Sequence, residues 1–169
     1  MFTGEFRHSI DAKGRVAVPA RFRAELATGA HVSRWMDSCL AIFPNQAWQR
    51  LADRVGEQRY ADAGARAFSR FLFSGAFDVE LDALGRVVVP SGLRDFGGLK
   101  GEVVVVGALD HIELWEPGRW AAVFLFCGLP AQLPDPVISC SIPRCSRNRS
   151  SFPCSSKAIC KAGSRLPPV

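Results

Sequence analysis

The apolar positions of this chain change period several times, and each change marks an element. From Gly4 to Val18 they form two extended runs around a glycine turn, with Val16 and Val18 alternating about Ala17 as a short strand. Pro19 ends that run and suits the first turn of a helix over residues 20–26, where Phe22 and Leu26 stand four apart on one stripe. Gly29 stops the helix. A further strand is predicted at residues 39–43. Pro44-Asn45 then opens a helix with Asn45 as its N-cap and with Trp48, Leu51 and Val55 on its core-facing side. Arg50, Asp53, Arg54 and Glu57 fall on the other sides, in water. Another helix, about residues 62–73, is expected to bury Phe68, Phe71 and Leu72. The pattern then starts again: strand, turn, strand, short helix, strands at residues 103–106 and 112–115, and a last helix from near Pro117. After about residue 123 no period of 2 or 3.6 survives, and Pro, Ser, Cys and Arg accumulate. Residues 126–169 are expected to be disordered, because they lack the apolar surface to offset their ordering entropy.

The second start repeats residues as well as period. Asp11-Ala12-Lys13-Gly14-Arg15-Val16-Ala17-Val18-Pro19 returns as Asp82-Ala83-Leu84-Gly85-Arg86-Val87-Val88-Val89-Pro90. Downstream, Leu40-Ala41-Ile42-Phe43-Pro44 with Trp48 matches Ile112-Glu113-Leu114-Trp115-Glu116-Pro117 with Trp120. One supersecondary unit has been duplicated, over about residues 5–48 and 76–120, and the two tryptophans read as core anchors.

Each copy carries the same turn chemistry. Asp11 and Asp82 are able to bond a backbone N–H two residues on, and Gly14 and Gly85 tolerate positive φ. Lys13 and Arg15 are two apart, which on an extended segment points both to one face; the equivalent pair is Leu84 and Arg86, so only Arg86 is charged. A guanidinium's planar fork suits phosphate oxygens or the O6/N7 edge of guanine. Arg7, Arg21 and Arg23 extend the cationic surface. Two readings stand at this point. Arg15 pairs with Asp11 or Glu5 as ordinary turn chemistry, or the two turns are presented to a shared polyanionic partner. His8, His31 and His111 read as surface or packing residues, since none has neighbours arranged as a nucleophilic set.

Charge sharpens this picture. The net charge is +5, yet residues 1–120 hold 15 Lys+Arg against 15 Asp+Glu, and the excess comes wholly from residues 121–169, with six cations and one acid. Within the body, residues 1–36 carry six cations and three anions, while 75–120 carry four and eight, so the first repeat is the better partner for a polyanion. Five of six cysteines lie beyond residue 126, spaced C-x4-C-x8-C-x5-C over the last four, a weak match to a zinc site. Uncharged apolar runs such as Val103 to Leu109 are far too short for a bilayer. The charged start, Met1-Phe2-Thr3-Gly4-Glu5, has no hydrophobic signal region, which sets a cytoplasmic expectation. No cofactor loop or metal cluster is read, so neither an enzyme nor a cofactor is expected.

These residues carry a family resemblance. Met1-Phe2 and Gly4-Glu5-Phe6-Arg7-His8-Ser9-Ile10-Asp11, Lys13-Gly14-Arg15, Asp82 with Gly85-Arg86, and Val104-Val105-Val106-Gly107 leading to Glu113-Leu114-Trp115 strongly resemble the MraZ family of bacterial transcriptional regulators, over about residues 1–122. The resemblance implies an α+β, mainly β fold. It is built of two tandem AbrB-like (SpoVT/AbrB) swapped-hairpin β-barrel modules with short helices. The first module is placed at residues 4–50, a helical connector at 51–74, the second module at 75–122 and an atypical disordered tail at 123–169. It implies a cytoplasmic, nucleoid-associated homo-oligomeric ring, an octamer. The ring binds repeated elements of double-stranded promoter DNA and represses the division and cell-wall gene cluster, its own gene included, with no membrane and no small-molecule substrate. Lys13, Arg15, Arg86 and Arg7 are then the DNA-binding residues, and Asp11, Gly14, Asp82 and Gly85 shape the loops. Leu84 stands where a cation is possible and lowers the rank of the second loop. The basic, Cys- and Pro-rich composition from Ala121 departs from the family's polar, often acidic ending, and is the expected product of a shifted reading frame near residues 122–126. The alternatives are an AbrB-type antitoxin that binds DNA and a protein partner, and an oligomeric scaffold with no nucleic-acid role.

Overall fold

A computed structural model describes residues 1–58, 60 and 62–126. The expectations placed on residues 127–169 (disorder, the cysteine-rich tail) lie outside the described residues. The first repeat runs β1 (Phe2–Ser9), β2 (Arg15–Ala17), α1 (Ala20–Leu26), β3 (Ala30–Arg34), a single 3-10 turn at Met36–Ser38, and β4 (Leu40–Pro44). Two helices follow, α2 (Asn45–Gln58) and α3 (Ala63–Phe73). The second repeat runs β5 (Phe77–Val79), β6 (Arg86–Val88), α4 (Ser91–Gly97), β7 (Glu102–Leu109) and β8 (His111–Trp115), and α5 (Pro117–Phe126) ends the described chain. The fold is α+β, with eight strands and five helices among the described residues, the mixed class that the resemblance implies.

The strands do not all pair within their own repeat. One antiparallel sheet has the order β1-β7-β8-β4-β3-β5, and a separate ribbon joins β2 to β6. β1 of the first repeat lies along β7 of the second, from Phe2 opposite Leu109 to Ser9 opposite Glu102. Their backbones meet so closely at Gly107 that a Cβ there would collide with Thr3 N and the Phe2 carbonyl carbon, which is the reason the Val104-Val105-Val106 run ends in glycine. The described residues belong to one compact unit.

The core follows from this interlocking. Val16, Val18 and Phe22 of the first repeat share one buried cluster with Val87, Val89 and Leu93 of the second. Phe22 meets Phe2 and Phe6 edge-on, with ring centroids 5.2 and 5.4 Å apart. Trp48 and Trp120 are half-buried and pack on two smaller clusters, Trp48 beside Ala41, Phe43 and Ala47, and Trp120 against Trp115. His31 stacks on Trp48 and His111 on Phe43, so these two are packing residues as expected.

Four expectations need correction. β3 is absent from the sequence reading because only Ala30 and Val32 are apolar in its five residues, too short a run to show a period. Ser33, on the face opposite Ala30 and Val32, is fully buried and donates its hydroxyl to Leu72 O at 2.6 Å. The first strand starts at Phe2 and not at Gly4. Asn45 does not precede α2 as a cap: it is the first helical residue, and its side-chain amide donates to Thr28 O at 2.6 Å, tying the helix to the loop after α1. On α3 only Leu72 is fully buried, while Phe68 and Phe71 are half-buried, Phe71 meeting Phe96 edge-on. Among the described residues no helix is long and apolar enough to cross a membrane.

Phe22 is 1% exposed and touches both β1 aromatic rings, so Phe22→Ala leaves a cavity at the junction of the repeats. The expected loss is about 3–5 kcal/mol of unfolding free energy, read from urea denaturation followed by circular dichroism.

Candidate nucleic-acid interface

The two turns are built bond for bond alike. Asp11 Oδ1 accepts from the backbone N–H of Lys13 and of Arg15, both at 2.9 Å, and its Oδ2 accepts from Arg15 Nε at 2.6 Å. Asp82 Oδ1 accepts from the backbone N–H of Leu84 and Arg86, both at 2.9 Å, and its Oδ2 from Arg86 Nε at 2.8 Å and Nη2 at 2.7 Å. Each turn is closed by a glycine N–H donating to the aspartate carbonyl at 2.8 Å. Gly14 and Gly85 adopt φ of 79° and 73°, a conformation that costs an L side chain about 1–2 kcal/mol. The sequence alone called for both features: an aspartate bonding two residues on, and a left-handed glycine before the arginine.

The ribbon joins the two turns. β2 runs antiparallel to β6 with Arg15 opposite Val88, Val16 opposite Val87 and Ala17 opposite Arg86. Val89 N then donates to Gly14 O at 2.8 Å and Val18 N to Gly85 O at 2.9 Å, so each turn locks to the strand end of the other repeat. Four residues of ribbon separate Gly14 from the register position of Gly85, which sets the turns about 13 Å apart. Val16, Val18, Val87 and Val89 face the core, and the pleat therefore sends Arg15, Ala17, Arg86 and Val88 to the outer face.

A second pair of arginines sits behind the turns. Arg23 on α1 donates Nε to Val18 O at 3.0 Å and packs over Gly85, where an added Cβ would collide with its guanidinium. Arg94 on α4 packs likewise over Gly14, its Nε 3.0 Å from where a Cβ would stand, with Val89 O at 2.7 Å. Arg23 thus backs the second turn and Arg94 the first. Arg94 was missed by the sequence reading. The spacing between Asp11 and Asp82 also separates Arg23 from Arg94, so the repeat offset was the signal that finds it.

The residues expected to act fall into place unequally. Lys13 is exposed but lies in the turn, with left-handed Gly14 between it and Arg15. The extended spacing expected to put both on one face therefore does not exist. Arg15 pairs with Asp11, not with Glu5, so the turn pairing is real. The pairing does not hide the arginine: its side chain is 31% exposed, and that of Arg86 27%. Asp11 grips Arg15 through Nε alone, leaving both Nη groups without a partner among the described residues. Arg7 stands on β1, away from the turn bonds, with its Nη1 on Glu102 Oε1 at 3.2 Å. Arg21 donates to Thr3 Oγ1 at 3.3 Å and lies over the Phe22 ring. The paired charges within each turn cancel, so Lys13 is the net charge of the first turn and Leu84 leaves the second neutral.

These bonds hold both carboxyls below their usual range. The Arg15 backbone N–H is the main cause at Asp11. The Arg86 side chain and then its backbone N–H pull Asp82 down to about 2. A folded pKa below the unfolded one means the ionised form favours the folded turn. The contribution is full above the free value of 3.8 and fades as pH falls through about 2. The Leu84 and Arg86 amide resonances should therefore titrate with a midpoint near 2, followed by proton–nitrogen correlation spectra, and Asp82→Asn should remove that titration. A midpoint near 4 means that the bonds to Asp82 do not persist in solution.

The duplicated architecture has relatives. The family model described as "MraZ protein, putative antitoxin-like" matches the chain twice, at residues 1–71 and 72–124. A protein of Natranaerobius thermophilus named transcriptional regulator MraZ is 43% identical over 120 residues, which is 71% of this chain and 84% of that protein. Proteins of the same name from Moorella thermoacetica and Thermomicrobium roseum are each 44% identical, over 71% and 72% of this chain and 84% and 86% of their own lengths. With both repeats matched and identity above 40% across the body, the chain belongs to the MraZ family.

Proposed function

We propose that this chain is a DNA-binding transcriptional regulator whose β2–β6 ribbon enters the major groove with its outer face. A two-stranded ribbon is one of the two backbone shapes that groove admits. The observation that carries the reading is the duplicated, carboxylate-held arginine: Arg15 and Arg86 stand on one ribbon face with hydrogens to spare. Asp11 and Asp82 preset the guanidinium direction, so less side-chain entropy is lost on contact. Lys13 adds a phosphate contact from the first turn. Arg7 is assigned a flanking phosphate, reached by exchanging its exposed bond to Glu102.

One ribbon with two arginines binds weakly, since a good bidentate base contact discriminates by about 1–3 kcal/mol. Affinity then comes from many ribbons on one assembly engaging repeated elements together, where linkage adds roughly 10²–10⁴-fold. This favours a homo-oligomeric ring, an octamer in this reading, on repeated elements of promoter DNA. The regulated genes are the division and cell-wall cluster, the chain's own gene among them. Binding there represses by excluding polymerase, in the cytoplasm and on the nucleoid, without cofactor or small-molecule substrate. The antitoxin wording of the family description favours a second reading, in which a protein partner is also captured. Recovery of a small stoichiometric protein in a pull-down would support it.

Arg15→Ala is expected to abolish specific retention of the DNA upstream of the gene in a gel-shift assay at physiological salt, with oligomeric state unchanged by light scattering. Retention equal to that of the unaltered protein would refute the proposal.

A further inference from the structure

The ribbon is two-fold in position and lopsided in chemistry. Positions 13, 15 and 17 of the first repeat correspond to 84, 86 and 88 of the second, and they read Lys-Arg-Ala against Leu-Arg-Val. Leu84 is 65% exposed and Val88 52%, while their strand neighbours Gly85, Val87 and Val89 are buried. Single exposed apolar residues need no explanation. These two do: Val88 shares the ribbon face with Arg86 and stands directly opposite Arg15, and Leu84 is exposed in the turn that leads into Arg86. The second half of the ribbon thus joins an exposed apolar turn residue to a guanidinium and an apolar strand neighbour. The first half carries a second cation and only the small Ala17.

We infer that Leu84 and Val88 read thymine through its C5-methyl group, so that the ribbon recognises an asymmetric element with thymine under the second turn. The inference rests on the DNA-binding reading proposed above. In the major groove the four base edges differ in hydrogen-bonding groups and in one apolar feature, the thymine methyl, which apolar side chains contact. Lys13 and the hydrogen-bonding capacity left on the two guanidinium groups bring the duplex to this face. The apolar pair then covers a methyl next to the base that Arg86 addresses, and removes water from that contact. A lysine at position 84 favours phosphate or a guanine edge; a leucine gains nothing from either. The element read is therefore directional, with its cation-read part under the first turn and its methyl-read part under the second. Desolvating one methyl group corresponds to roughly fourfold in affinity.

The test is a deoxyuridine scan of the upstream duplex, replacing one thymine at a time, with binding of the full chain measured by fluorescence anisotropy. Uracil keeps every hydrogen-bonding group of thymine and loses only the methyl. At one or two positions of each element the unaltered protein should lose roughly fourfold. Leu84→Ala should bind the thymine duplex more weakly by a similar factor and show no further loss with uracil at those positions. Circular dichroism checks that the variant, changed at an exposed site, keeps its fold. A flat scan with the unaltered protein, or equal uracil sensitivity in Leu84→Ala, overturns the inference while Arg15→Ala still fails to bind. If Arg15→Ala binds normally, the DNA-binding reading itself falls, and this inference with it. If Leu84→Ala instead dissociates the assembly in light scattering and keeps its methyl dependence, the patch belongs to a second copy of the chain and the inference is wrong.

Discussion

Everything on the candidate interface depends on a pairing that neither repeat makes alone. β2 and β6 are three residues each, too short to persist as isolated strands, and each has its ladder partner in the other repeat. What holds them is the layer beneath. Val16, Val18, Val87 and Val89 are all within 2% of full burial, in one cluster with Phe22 and Leu93 from the two short helices. Burying a valine is worth about 1.5–3 kcal/mol, against about 0.5–1.5 kcal/mol for one ladder bond. The ribbon is thus a thin strip fastened to a shared core, and its outer face is oriented by whatever fastens its inner face.

The Asp–Arg pairs have a different job. Both are partly exposed, and such ion pairs contribute little to stability, about 0–1 kcal/mol. Their value is directional. Each carboxylate accepts two backbone N–H groups as well as the guanidinium, so the turn's backbone and the arginine's direction are set by one side chain. The left-handed glycine completes the turn and leaves no room for a side chain where the helix arginine of the opposite repeat packs. Turn, ribbon and short helix therefore constrain one another across the repeats.

A buried cluster elsewhere shows how far local bonding sets protonation in this fold. Burial opposes charge on both His111 and Glu113. The bond between them outweighs that penalty: with help from Asp110 it raises the histidine, and with help from Trp115 it lowers the carboxyl. Cys39 has burial first and then the nearby acids Glu113 and Asp37 against its charged form, and its thiol is driven far up. It is a packing residue by chemistry as well as by position.

Much of the molecule was legible in the chain itself. The aspartate-glycine-arginine turns, the valine alternation behind them and the proline-led short helices are interactions among neighbours within about five residues, so sequence spacing encodes them directly. Arg94 was legible too, through the repeat offset, though only for a reader who carried the offset past the turn. β3 was not, because two apolar residues in five give no period, and the burial of Ser33 on its other face depends on Leu72 O, 39 residues away, accepting its hydroxyl. Nor was the face shared by Arg15, Arg86 and Val88, nor the left-handed glycine that separates Lys13 from Arg15 and Leu84 from Arg86. The sequence by itself determined the local devices and their duplication. Tertiary structure decided which strand met which, because pairing across the repeats is chosen by the burial summed over the whole core, a long-range quantity that no local window contains.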